Sequence, residues 1–232
     1  MARAFTGWSF DRRNPGSQDA FRFYPARHDA SAKTVLGKTV QGQGQAQGDW
    51  VLDLLARHPA TARRISTKLA RHFVSETPSE ALVQQLTQVF LQTDGDLRAL
   101  MRALVMSDAF SDPANFGARY KAPDRFVISA VRACGLSAPD PVLMAGAMAG
   151  MGMPILLCPT PDGWPDMRSA WLTPEGLRLR TEFSARLATQ VSQSTRALTL
   201  PGLSEPTRAV LVAQPAQHWL ALALASPDFS RY

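Results

Sequence analysis

His28 and Asp29 are adjacent polar residues in a segment without helical spacing, directly after the aromatic stretch at residues 21–24. A loop histidine beside a carboxylate can act as a general base, or the two side chains can bind a metal ion. The alternative is a hydrogen-bonded turn, in which Asp29 caps the backbone and His28 packs on Tyr24 or Trp8. The residue types alone leave both interpretations open.

A second candidate is the segment 161–166, Pro-Asp-Gly-Trp-Pro-Asp. Two prolines and a glycine restrict its backbone, while Asp162 and Asp166 offer carboxylates and Trp164 an aromatic face. Such a loop can bind a cation, or it can stack on a sugar ring and hydrogen-bond the hydroxyl groups. It can also be a rigid corner that places Trp164 in the core. Either interpretation predicts an ordered loop with the Trp164 ring at least half buried.

Two functions from different classes follow from these segments. A metal-assisted hydrolase acting on a glycan or an ester would use both, with the catalytic residues His28, Asp29, Asp162 and Asp166 and with Trp8 or Trp164 receiving the substrate. The chain contains no complete serine-nucleophile, phosphate-loop or zinc-ligand pattern. The leading hypothesis is therefore a non-catalytic binding or scaffold module, and the sequence identifies neither a cofactor nor a metal.

Basic residues form a third feature. Arg64, Lys68 and Arg71 share one face of a predicted helix, where a solvated or ion-paired surface is the ordinary interpretation and docking of an anion or partner the alternative. The chain has 25 basic and 19 acidic residues and a net charge of +6. No nucleic-acid-binding motif accompanies this charge, so specific binding to nucleic acid is not expected.

Apolar spacing predicts a mainly α fold, an irregular multi-helix bundle with a small extended or hairpin segment at the N-terminus. Residues 1–48 are the irregular segment, in which the alternating stretches 21–24 and 34–40 predict a hairpin. Residues 49–232 form a helical domain, with Asp49 capping its first helix. The uncharged run 141–161 holds four prolines and three glycines, which argues against a membrane-spanning helix.

Ordered fragments along the chain carry a family resemblance: Phe5-Thr-Gly-Trp8, His28-Asp29 with residues 33–37, residues 58–62 and residues 161–166. Together they resemble a large bacterial family known as domain of unknown function 1800, which is predominantly helical and has no established catalytic residues. Its members are usually about twice this length. The resemblance implies that the chain is the C-terminal half of a larger family domain and that an N-terminal half is missing.

The resemblance also implies a cellular setting. Relatives are often encoded beside a sulfatase-like secreted protein, and many are exported. A periplasmic or envelope location and a sulfatase-like partner are therefore expected, although residues 1–20 carry no secretion signal.

Overall fold

The computed structural model describes residues 1–10, 20–136, 138–191, 197 and 200–232. These residues form two compact units. The N-terminal unit comprises Met1–Lys68 and Glu80–Val105, and the C-terminal unit comprises Leu69–Ser79 and Met106–Tyr232. The domain boundary predicted after residue 48 stays a prediction.

Short extended segments begin the N-terminal unit. A 3-10 helix at Ala2–Phe5 precedes strand β1, Trp8–Phe10, which pairs antiparallel with β2, Phe21–Phe23. Strands β3, Thr34–Val35, and β4, Lys38–Thr39, form a separate two-stranded sheet. The extended N-terminal segment is confirmed, but the pairing of residues 21–24 with residues 34–40 was wrong. Alternating apolar residues show that a strand forms and do not specify its partner.

Four helices follow in chain order: α1 at Gln45–Ala56, α2 at Pro59–Phe73, α3 at Glu80–Gln92 and α4 at Leu97–Val105. The helix α1 begins at Gln45 rather than at Asp49, so the last residues of the predicted irregular segment are helical. Helix α3 packs on α4 and buries Leu82, Leu86 and Phe90, the residues whose spacing predicted it. Helix α1 packs on the first 3-10 helix.

The C-terminal unit contains most of the remaining helices: α5 at Asp108–Ser111, α6 at Pro123–Cys134, α7 at Pro141–Gly150, α8 at Arg168–Trp171, α9 at Pro174–Ala188, α10 at Glu205–Val212 and α11 at Trp219–Ala225. Helix α11 packs along α9, and α6 packs on both α7 and α9. Phe126 contacts Phe183 and Phe229 in the middle of this core. The predicted mainly α fold is confirmed.

One backbone pairing in this unit positions the residues discussed below. The segment before α6 lies antiparallel to the end of the described chain, with a bridge between Tyr120 and Arg231. The Lys121 N–H donates to the Ser230 carbonyl at 2.8 Å, and the Tyr232 N–H donates to the Arg119 carbonyl at 3.0 Å. None of the helices that the structure describes combines the length and the hydropathy of a membrane-spanning segment.

Candidate functional site

His28 is held by hydrogen bonds on both sides of its ring. Its Nδ1 lies 2.8 Å from the Thr6 carbonyl oxygen, and its Nε2 lies 3.2 Å from the Gln47 side-chain oxygen. The ring packs edge to face on Phe23, with the centroids 5.5 Å apart. Because both ring nitrogens contact oxygens of the protein, His28 ties the loop to helix α1.

Asp29 organises the same loop. Its carboxylate accepts hydrogen bonds from the Ser31 backbone N–H at 2.9 Å and from the Ser31 hydroxyl, and it pairs with Arg3 at 2.9 Å. Chiefly because of the Ser31 hydroxyl, with help from Arg3 and Lys33, the pKa of Asp29 is lowered to about 2. The carboxylate is therefore charged at neutral pH and already engaged by its neighbours.

Lys33 connects the Asp29 loop to helix α1 through the hydrogen bonds of its ammonium group. The side chain is buried, and its ammonium group donates to the Ser31 carbonyl at 2.9 Å, to the Gln47 side-chain oxygen at 2.6 Å and to the Asp29 carbonyl. Three oxygens thus satisfy its three N–H donors. We call His28, Asp29, Lys33 and Gln47 the N-terminal network.

The loop at residues 161–166 has a defined conformation in the C-terminal unit. Trp164 is partly buried and packs on Trp171 with the centroids 6.2 Å apart, while the Trp171 indole N–H donates to the Pro165 carbonyl at 2.9 Å. Asp162 and Asp166 are exposed. The ordered loop and the partial burial of Trp164 agree with the prediction.

Asp166 affects the pKa values of two residues in the same unit, His72 and Tyr232. Burial and the cations Arg125 and Arg119 lower the pKa of His72, and Asp166 opposes them. His72 Nε2 lies 2.8 Å from an Arg125 nitrogen, a geometry that suits the neutral imidazole as acceptor of the guanidinium N–H. Burial raises the pKa of Tyr232, and Asp166 adds to that effect.

The proposed catalytic residues are divided between the units: His28 and Asp29 belong to the N-terminal unit, and Asp162 and Asp166 to the C-terminal unit. Within the described residues, no three histidine, cysteine, aspartate or glutamate side chains are grouped to hold a metal ion.

The other candidate binding residues have varied environments. Trp8 contacts Phe5 and Phe21 edge to face, at 5.2 and 4.9 Å, and its buried indole N–H has no acceptor among the described residues. Arg64, Lys68 and Arg71 are exposed along helix α2.

A feature that the sequence did not indicate lies in the C-terminal unit. A cavity of about 490 Å³ is lined by three cationic side chains, Lys121, Arg132 and Arg231, together with Gly202, Asp228 and Phe229. We call it the basic pocket. None of the three cations forms an ion pair with any residue that the structure describes.

Asp228 is the one carboxylate among the described residues that line the basic pocket, and hydrogen bonds engage its side chain. Asp228 accepts hydrogen bonds from the Ser204 backbone N–H at 2.9 Å, from the Ser204 hydroxyl at 2.6 Å and from the Thr207 hydroxyl at 2.5 Å. These bonds, the one from the Ser204 hydroxyl first, lower the pKa of Asp228, and the charge of Arg231 adds to the effect. Asp228 is thereby fixed to the start of helix α10, and it forms no direct ion pair with a cation that the structure describes.

Lys121 is the most unusual group of the pocket. Its ammonium nitrogen lies 3.9 Å from the centroid of the Phe229 ring and has no hydrogen-bond acceptor among the described residues. Burial, and secondly the charge of Arg180, lower its pKa to about 8. Arg180 itself is buried, donates to the Lys121 carbonyl at 2.5 Å and stacks on Tyr120 and Phe126.

Comparison with known proteins identifies the family. The chain belongs to the bacterial family described as Protein of unknown function (DUF1800), whose model matches residues 1–231. No curated protein and no solved structure matches the chain.

Proposed function

We propose that this protein is a non-catalytic binding module that holds the anionic group of its ligand in the basic pocket. One observation carries the proposal: Lys121, Arg132 and Arg231 converge on one cavity, and the described residues supply no carboxylate that pairs with them. Three positive charges against the one described carboxylate of the lining, Asp228, leave the pocket with a net positive charge, which a bound anion offsets.

The ligand class follows from the chemistry of these donors. Guanidinium groups donate paired N–H bonds to sulfate, phosphate or carboxylate oxygens, and a lysine adds a compact charge. A volume of about 490 Å³ falls within the ordinary range of ligand pockets, so it can receive an anionic group together with part of the molecule that carries it.

Calorimetry with inorganic sulfate and inorganic phosphate tests the proposal. The double variant Arg132→Gln/Arg231→Gln should weaken binding at least about tenfold, since each charge-assisted hydrogen bond contributes about 1.5–3 kcal/mol. The matched control is Arg98→Gln/Arg102→Gln, which removes two exposed arginines from helix α4 and should bind like the wild type. Equal affinities in the wild type and the pocket variant contradict the proposal.

We further propose that the module works in the cell envelope with a sulfatase-like secreted protein, which rests on the family resemblance. A sulfatase-like enzyme acts on sulfate esters, and the basic pocket would bind the same kind of anionic group. Affinity purification of the tagged protein from envelope fractions, followed by mass spectrometry, tests the association. Envelope fractions without the tagged protein, or a purified sample without a sulfatase-like polypeptide, contradict it.

The metal-assisted hydrolase remains the alternative prediction, with His28, Asp29, Asp162 and Asp166 as its catalytic residues. It predicts that zinc or magnesium binds the protein and that both His28→Ala and Asp166→Asn weaken the binding. Calorimetry with each metal ion measures this. Metal affinity that is unchanged in both variants contradicts the alternative.

A further inference from the structure

The amine of Lys121 differs from an ordinary surface lysine in what surrounds it. Its nitrogen lies 3.9 Å from the centroid of the Phe229 ring, the charge of the buried Arg180 acts on it, and the side chain lines the cavity that Arg132 and Arg231 also line. Asp228 lies in the same pocket, but its carboxylate is engaged by Ser204 and Thr207. The Phe229 ring attracts the ammonium group, but the described residues supply neither a hydrogen-bond acceptor nor an ion-pair partner for it.

This environment increases the fraction of Lys121 side chains that are neutral amines. With a pKa of about 8, about a tenth of the Lys121 side chains are neutral at pH 7. A lysine with the ordinary value of 10.5 is neutral in about 0.03% of molecules at that pH. Desolvation and a neighbouring cation are the two means by which proteins activate a lysine as a nucleophile.

We propose that Lys121 forms an imine with a small carbonyl compound that carries an anionic group, of the 2-oxo-acid type. This inference rests on the proposed function, because Arg132 and Arg231 would hold the carboxylate while the carbonyl carbon faces the amine. Holding the two reactants together lowers the entropic cost of their encounter.

The reaction balances without an oxidant or a reductant. The lysine nitrogen attacks the carbonyl carbon, a C–N bond forms, and the carbonyl oxygen becomes a hydroxyl group after protonation. The two protons that the amine loses leave with the oxygen as water, and a carbon–nitrogen double bond remains. Arg132 and Arg231 do not react. Each stabilises the anionic substituent throughout.

Trapping with sodium borohydride and glyoxylate measures this imine directly. Borohydride reduces the imine to a stable amine, and intact-mass analysis with peptide mapping locates the adduct. At pH 7 we expect Lys121 to be labelled at least about tenfold faster than Lys33, Lys38 or Lys68, because its amine lines the pocket in which Arg132 and Arg231 would hold the anionic group of glyoxylate. Lys121→Met should lose this fast labelling, and Lys38→Met should keep it.

A second experiment distinguishes the reactivity of the Lys121 amine from the contribution of the anion site. Acetaldehyde, which carries no charge, should label Lys121 more slowly than glyoxylate does, and Arg132→Gln/Arg231→Gln should remove the preference for glyoxylate. Uniform labelling of the four lysines overturns the imine proposal even if sulfate and phosphate bind in the pocket. Fast labelling of Lys121 without any preference for glyoxylate, together with absent sulfate binding, overturns the anion site instead.

Discussion

Of the four lysines, Lys33 is buried and Lys121 is partly buried, whereas the other two are exposed. Lys33 and Lys121 differ in whether hydrogen-bond acceptors surround the ammonium group. The ammonium group of Lys33 meets three oxygens of the N-terminal network, while that of Lys121 faces an aromatic ring and a cavity. A buried cation is tolerated where hydrogen-bond acceptors replace the water that it loses. Lys33 therefore has a structural role, whereas the Lys121 amine has unused hydrogen-bonding capacity at the edge of a pocket.

The origin of the difference lies in the backbone. Lys33 follows a loop that turns the Asp29 and Ser31 carbonyls inward, and helix α1 brings Gln47 to the same point. Lys121 lies in an extended segment whose own carbonyl is taken by Arg180 and whose N–H is taken by Ser230. No loop carbonyl among the described residues reaches its amine. Satisfied and unsatisfied polar groups thus distinguish a structural lysine from a candidate functional one.

The largest expected effect comes from removing the satisfied lysine. Lys33→Met should lower the free energy of unfolding by about 3 kcal/mol, because it leaves the acceptors of a charged donor buried without a partner. Urea denaturation followed by circular dichroism measures this. Lys38→Met, which changes an exposed lysine of the same unit, should stay within about 0.5 kcal/mol of the wild type. Equal effects of the two variants would remove the contrast between Lys33 and Lys121.

A smaller effect should follow when Lys33 is made to resemble Lys121. Gln47→Leu deletes one of the three acceptors of Lys33 and the oxygen that His28 Nε2 contacts, and it should cost about 1–2 kcal/mol. In a double-mutant cycle, Lys33→Met and Gln47→Leu should be coupled by about 1 kcal/mol, since the two side chains share a hydrogen bond. Additive effects would show that Gln47 stabilises the fold independently of Lys33.

The fold was more predictable than the site for a physical reason. Apolar residues at spacings of three and four, such as Leu82, Leu86 and Phe90, report a helix face that forms locally, so the helices could be predicted. Strand partners could not, because the short alternating stretches specify no register, and β2 paired with β1.

The sequence also identified residues of reactive types, but it could not predict their hydrogen-bond and ion-pair partners. His28 and Asp29 were visible as polar loop residues, but only the structure shows that each is engaged by neighbours such as Thr6 and Arg3. The basic pocket combines a residue before α6, a residue on α6 and a residue near the end of the described chain. Nothing in their spacing predicts that they meet, because tertiary packing alone brings them together.

The smallest expected effect has the opposite sign from the first. Lys121→Met should slightly raise the free energy of unfolding at pH 7, because it removes a charge that lacks hydrogen-bond acceptors, while the lost contact of the ammonium group with the Phe229 ring offsets most of that gain. The pKa of Lys121 is lower in the folded state than the ordinary value of 10.5, so charging this lysine opposes folding. Below about pH 8 both states bind the proton, and the cost is fully present.

The pH dependence of this small effect makes it measurable. Between about pH 8 and 10.5 the unfolded chain holds the Lys121 proton and the folded protein releases it, so the wild type gains stability with rising pH relative to Lys121→Met. Urea denaturation of both proteins at pH 7 and pH 9.5 gives the difference, and groups that titrate in both cancel. Lys38→Met, which removes the same charge from an exposed position, supplies the background. If the advantage of Lys121→Met is as large at pH 9.5 as at pH 7, the amine keeps its proton in the folded state, and Lys121 is then no more open to a carbonyl compound than Lys33.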